Sequence, residues 1–203
     1  MSSVLTYTAY AFETLYSTLN KIDPIPFSEW KYAIEKEHTV TKESCPLFVT
    51  WNVLDGTDKV LRGCIGNFGD LTLPEGVKDY ALVAAFEDSR FDPISAAELP
   101  DLACSVTLLK NFEKAKDALD WELGKHGIRI LINGQRSATF LPEVAVEQGW
   151  NKDQTLDHLV RKAGYYVTNW KQVQIELTRY QGLKESIDYE TFTKLRGTLA
   201  KGA

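Results

Sequence analysis

The sequence predicts an α+β protein with a largely antiparallel sheet, on three observations. Its hydrophobic period shifts from helical spacing to strict alternation and back along the chain. Strands are paired through short turns, Asp55-Gly56 and Asn133-Gly134, rather than through crossover helices. The element order is helix, hairpin, helix, strand, hairpin, two helices, strand, which is not the regular alternation of a doubly wound sheet.

Leu5, Ala9, Phe12, Leu15, Tyr16 and Leu19 recur at helical spacing, so residues 4–19 form a helix that buries one face. Pro24 and Pro26 break the pattern and make a connector. Phe27 then reads as a hydrophobic staple and Ser28 as the N-cap of a second helix through Trp30, Ala33 and Ile34. From Pro46 the period becomes two: Leu47, Val49, Trp51 and Val53 alternate with Phe48, Thr50, Asn52 and Leu54. Both sets are rather apolar, as in a central strand. The turn residues 55–59 return the chain into a strand over Val60–Gly66.

Pro74 fits the first turn of a helix reaching about Ser89, with Val77, Tyr80, Ala81 and Ala84 inside. A polar loop, Asp88 to Pro93, leads to an alternating strand, Leu102–Leu109. Ile128–Ile132 and Gln135–Phe140 flank the hairpin signal Asn133-Gly134. Pro142 opens a short helix ending near Gly149-Trp150, and residues 153–163 form another, stopped by Gly164. Val173–Leu177 is a late strand, and the chain after Gly182 reads as a marginal helix or loose end.

Composition narrows the function classes. The 203 residues carry a formal net charge of −5 without a long run of Lys or Arg, so a broad grip on nucleic acid is not expected. The apolar runs are too short to span a membrane. Three widely spaced cysteines, Cys45, Cys64 and Cys104, with no signal peptide before them, fit reduced thiols in cytoplasm or nucleus better than a disulfide framework. There is no Cys-x-x-Cys and no His-x-x-x-His, and His38, His126 and His158 lie far apart, so no metal site is assigned. Phosphate-binding and dinucleotide fingerprints are missing too, and no cofactor is assigned.

Leu61-Arg62-Gly63-Cys64-Ile65-Gly66 is the segment richest in chemistry. On a strand, Arg62 and Cys64 project from one face with Gly63 on the other. A guanidinium beside a thiol favours the thiolate. Cys64 is thus either a nucleophile beside an anion-binding pocket or a small buried hydrophobe with glycines serving close packing. His126, within Gly124-Lys125-His126-Gly127, is either an acid/base imidazole or a turn residue bonded to backbone. Asp88 and Arg90 form a structural pair or present the Arg to an anion. Glu143 complements a helix N-terminus or turns a carboxylate into a pocket.

These segments resemble the AMMECR domain family. The likeness rests on Leu61 to Gly66 and on Pro46-Leu47-Phe48-Val49-Thr50-Trp51, Asp88-Ser89-Arg90-Phe91, Asp120-Trp121-Glu122 and His126-Gly127-Ile128. The run Ala138 to Ala145, Gln148-Gly149-Trp150 and Arg179-Tyr180-Gln181 complete it. Asn67, Phe86-Glu87 and Lys125 depart from the usual pattern without touching its polar positions. The resemblance spans about residues 5 to 190, and implies a single domain there with 191–203 as a C-terminal tail. It also implies two related, intimately packed β-α-β halves sharing one curved, barrel-like sheet with helices outside. Its signature positions are Arg62, Gly63, Cys64, Asp88, Arg90, His126, Thr139 and Glu143.

The resemblance implies no particular reaction. The leading expectation is a site for a small anionic molecule or modified peptide, with Cys64, His126 and Glu143 catalytic. Arg62, Gly63, Arg90, Asp88 and Thr139 would then bind the substrate. The alternative is an adaptor docking a protein partner. Nothing in the sequence sets an oligomeric state.

Overall fold

A computed structural model describes residues 2–56 and 58–199. Its helices are α1 (Val4–Asn20), α2 (Phe27–Glu35), α3 (Glu75–Phe86), α4 (Val144–Glu147), α5 (Lys152–Lys162) and α6 (Tyr189–Leu199). Its strands are β1 (Glu43–Asp55), β2 (Asp58–Leu73), β3 (Leu102–Lys114), β4 (Gly127–Ile132), β5 (Arg136–Phe140) and β6 (Ile175–Asp188). The six strands belong to one sheet in the order β2-β1-β3-β6-β4-β5. The α+β class with an antiparallel sheet stands as expected.

The chain divides into two compact units: residues 1–108 with 183–203, and residues 109–182. Strands β3 and β6 contribute residues to both. The same motif occurs twice. In β1-β2-α3-β3 and in β4-β5-α5-β6, a hairpin leads to a helix, and the last strand pairs antiparallel with the first. The repeat is therefore hairpin-helix-strand, a strand longer than the β-α-β halves the family resemblance implies.

In the first unit, Leu47, Val49 and Trp51 of β1 and Leu102, Cys104, Val106 and Leu108 of β3 face one core with the apolar stripe of α1. Alternation puts Thr50, Asn52, Ser105 and Thr107 on the opposite face of the sheet. Trp51 donates its indole N–H to the Ala81 carbonyl of α3 at 3.0 Å. In the second unit, Ile128, Ile130 and Ile132 alternate into a core with Trp121, Leu156, Leu159 and Val160. The Asn133-Gly134 turn is left-handed at both positions (φ 51° and 69°), as a two-residue hairpin requires.

Several expectations change. Helix α2 begins at Phe27 with Pro26 at its N-cap position, so Ser28 does not cap it. Phe27 lies inside the helix and stacks on Tyr7 at 5.1 Å. The expected turn over 55–59 includes residue 57, which lies outside the described residues. The late strand does not stop at Leu177: β6 continues to Asp188, and α6 follows. Phe192 of α6 is fully buried, stacked on Phe12 at 4.5 Å and on Trp30 at 5.6 Å. The segment read as a marginal helix or loose end is thus a strand followed by a helix, which Phe192 anchors in the core.

Candidate functional site

The motif around Cys64 lies on β2, which among the described residues pairs with β1 alone. Opposite pairs are Thr50 with Cys64 and Trp51 with Gly63, but Asn52 pairs with Leu61. Arg62 is the extra residue of a β-bulge, and a bulge re-aims side chains. The expected shared face of Arg62 and Cys64 is therefore corrected. Arg62 donates from Nε to Glu98 Oε1 at 2.7 Å and from Nη1 to the Asp92 carbonyl at 2.7 Å. Burial would raise the Glu98 carboxyl, but Arg62 and the Ser95 hydrogen bonds outweigh it and hold it low. The Cys64 thiol instead meets the Thr50 hydroxyl at 3.1 Å.

Gly63 faces the helix layer, where an added Cβ would stand 2.1 Å from the Ala84 carbonyl oxygen. Only a residue without a side chain lets α3 approach so closely. At Cys64 the backbone polar groups point to side chains. The amide donates to Asp88 Oδ2 at 2.9 Å, and the carbonyl accepts from Arg90 Nη2 at 3.3 Å. Arg90 also donates to both carboxylate oxygens of Asp88. Those bonds and the Cys64 amide hold the buried Asp88 carboxyl far below its ordinary range, against the opposing effect of burial. Arg90, not Arg62, is the guanidinium beside Cys64. It is held protonated chiefly by Asp88 and further by its electrostatic contact with Cys64.

Beside this clamp the open face of the same unit holds a cavity of about 520 Å³. It is lined by Thr50 and Asn52 of β1, Lys59 of β2, Ser105 of β3, and Lys184, Glu185 and Ser186 of β6. Register places Cys64, Thr50 and Ser105 in one row across β2, β1 and β3. Lys59 Nζ donates to Ser186 Oγ at 3.2 Å. Ser105 is 98% buried (2% exposed), and its hydroxyl makes no hydrogen bond among the described residues.

His126, Thr139 and Glu143 belong to the second unit. The His126 Nδ1 accepts the Glu122 amide at 3.0 Å, which fixes the neutral imidazole with its proton on Nε2. Burial lowers its pKa, assisted by the positive charges of Lys125 and Arg179. Thr139 Oγ1 donates to the Ile128 carbonyl at 2.9 Å and meets Tyr180 Oη at 2.8 Å. Tyr180 is fully buried, and its hydroxyl donates to the Phe140 carbonyl at 3.0 Å. Burial raises its phenol, and the nearby Glu143 charge adds to this. Its ring lies where a Cβ on Gly127 would come within 2.3 Å. Glu143 sits at the N-cap of α4 without a side-chain cap bond. Arg179 donates to Glu113 and Asp120, fastening the Asp120-Trp121-Glu122 segment.

Sequence reasoning missed the cavity's own residues. A Thr and an Asn alternating with Trp51, and a Ser in the middle of an apolar strand, were the available signals. Among the described residues no three His, Cys, Asp or Glu side chains group as metal ligands, and no helix is long and apolar enough to cross a membrane.

Comparison with known proteins agrees with this architecture. The sequence model of the AMMECR1 family matches residues 8–184. The uncharacterized protein At2g38710 of Arabidopsis thaliana is 45% identical over 192 residues, covering 90% of this chain and 84% of that one. The uncharacterized protein YOR289W of Saccharomyces cerevisiae is 38% identical over 216 residues, covering 91% and 86%. The crystal structure of the uncharacterized protein PH0010 from Pyrococcus horikoshii has a similar fold, with a TM-score of 0.65 at 23% identity over 89% of each chain. With its family model spanning most of its length and relatives this similar, the chain belongs to the AMMECR1 family.

Proposed function

We propose that this protein acts on a small anionic molecule, or an anionic modified peptide, bound in the cavity of the first unit, with Cys64 as its reactive thiol. One observation carries the reading. A cavity of ligand size, lined by Lys59 and Lys184, shares Thr50 with the Cys64 thiol. The lysines supply charge for the anion, and Thr50 Oγ1 is placed to hydrogen-bond a thiolate. Arg62 is engaged with Glu98 and Arg90 with Asp88, so the anion falls to the lysines. His126, Thr139 and Glu143 carry no step in this proposal, since the first unit's cavity does not include them. Three free thiols suit a reducing compartment, cytoplasm or nucleus.

Limited alkylation with iodoacetamide, followed by peptide mass spectrometry, tests the thiol. Cys45 and Cys104 are 3% and 0% exposed, and burial raises the Cys104 thiol, so Cys64 should react at least tenfold faster than either. Equal labelling of the three, or none at Cys64, ends its role as nucleophile.

The second reading is an adaptor. Val60, Leu61 and Phe68 are exposed on the edge strand β2, where a partner chain would dock. Loss of a stoichiometric partner in Val60→Asp, with Cys64→Ser indifferent, would favour the adaptor.

A further inference from the structure

Resting on the reading of the cavity as the binding site, we propose that its ligand is a phosphorylated sugar or polyol. The phosphate sits on Lys59 and Lys184, and the ligand hydroxyls meet Ser105 and Glu185. Cavity size alone would suit many molecules, since ligand sites span about 300–1,000 Å³. The lining is more selective. Such sites are mostly apolar, whereas here every lining side chain among the described residues is polar or charged. An aromatic or aliphatic body would find no apolar side chain to pack against there. A compact ligand carrying many hydroxyls is the complement.

The charges divide this ligand into two ends. Two ammonium groups match a phosphate dianion, which lysine binds as a point charge. Each ammonium has three donors, and Lys59 uses one on Ser186, while Lys184 has no partner among the described residues. Glu185, exposed at the cavity, is acceptor-only when ionised, so it repels the phosphate and favours a ligand group that donates. A sugar hydroxyl supplies that donor at a distance from the phosphate; an ionised carboxylate has none, and free phosphate carries its own only on the anion itself. Ser105 points to the same end. The residue is buried, but its hydroxyl is open to the cavity and has no partner among the described residues, so it can both donate to and accept from a bound hydroxyl.

Isothermal titration of the full chain with glucose 6-phosphate, glycerol 3-phosphate, glucose, inorganic phosphate and citrate tests this. At least one of the phosphate esters should bind ten times more tightly than glucose, inorganic phosphate or citrate. Lys59→Ala and Lys184→Ala should each weaken the ester and inorganic phosphate by tenfold or more. Glu185→Gln and Ser105→Ala, checked for an unchanged unfolding transition, should weaken the ester at least fivefold without weakening inorganic phosphate. Citrate or phosphate binding as tightly as the esters would overturn the sugar-phosphate assignment and leave the anion site standing. Failure of every probe would remove both.

Discussion

Asp88 accepts the backbone amide of Cys64 at 2.9 Å, and so occupies the outer edge of β2 at the centre of its motif. With Arg90 donating to the Cys64 carbonyl, the two side chains satisfy the polar groups that another strand would otherwise bond. The Asp-Ser-Arg segment thus protects an edge and fixes the backbone that carries the thiol.

This clamp should dominate acid sensitivity. Asp88 has a lowered carboxyl pKa in the folded state, so its stabilisation is complete above the unfolded value of about 4 and fades as pH falls below it. Urea midpoints followed from pH 7 to pH 3 should drop more steeply in the native protein than in Asp88→Asn. At pH 7 that variant should lose about 2–4 kcal/mol, because an amide group cannot accept from Arg90 and the Cys64 amide at both positions. Parallel pH profiles for the two proteins would refute the role assigned to Asp88.

Gly63 should tolerate no side chain. In Gly63→Ala the added Cβ meets a backbone oxygen 2.1 Å away, which only a shift of α3 can relieve. A loss of roughly 3 kcal/mol or more is expected, seen as a thermal midpoint lowered by several degrees. Gly197 of α6 is the control, since a Cβ there meets nothing within 4 Å. Gly197→Ala should gain about 0.5–1 kcal/mol from helix propensity.

Much of the fold was legible because its signals are local. Helix α1 announced itself through apolar spacing, and the β4–β5 hairpin through Asn133-Gly134. The bulge at Arg62 was not legible, because it depends on which residues of β1 stand opposite. One extra residue was enough to send Arg62 to Glu98 and leave Cys64 with Thr50. The far half of β6 was hidden for another reason. Lys184, Glu185 and Ser186 leave no clear alternation of apolar residues, so nothing distinguished a strand from a tail. These same residues line the cavity, and the site was therefore less readable than the fold. The signature residues that stood out, Gly63, Asp88, Arg90 and Thr139, have structural partners that account for each.

His126 predicts a second pH dependence of opposite chemical origin. Its folded pKa is lowered by burial and by Lys125 and Arg179, so the unfolded chain binds the proton more readily. Stability should be full above the unfolded value of about 6.5 and decline as pH falls through it toward the folded one. His126→Gln should flatten the denaturation midpoint between pH 7 and pH 5, with Asp88 still ionised throughout that window. A native profile already flat there would contradict the burial argument.

Helix α6 offers the sharpest test of how firmly residues 189–199 are tied to the first unit. Glu13 of α1 is fully buried, accepts the Ile25 amide at 2.9 Å, and receives Arg196 Nε of α6 at 2.9 Å. Removing one partner of a buried pair leaves an uncompensated charge, which costs about 3–5 kcal/mol. Arg196 is partly exposed, so Arg196→Met should fall at the lower end of that range. Glu13→Gln in the same background should recover part of the loss, because a neutral amide can still accept from Ile25 and no longer needs a cation. Urea denaturation of the two single variants and the double variant completes the cycle. A loose C-terminal segment would instead give an Arg196→Met effect within about 0.5 kcal/mol of zero, and no coupling to Glu13.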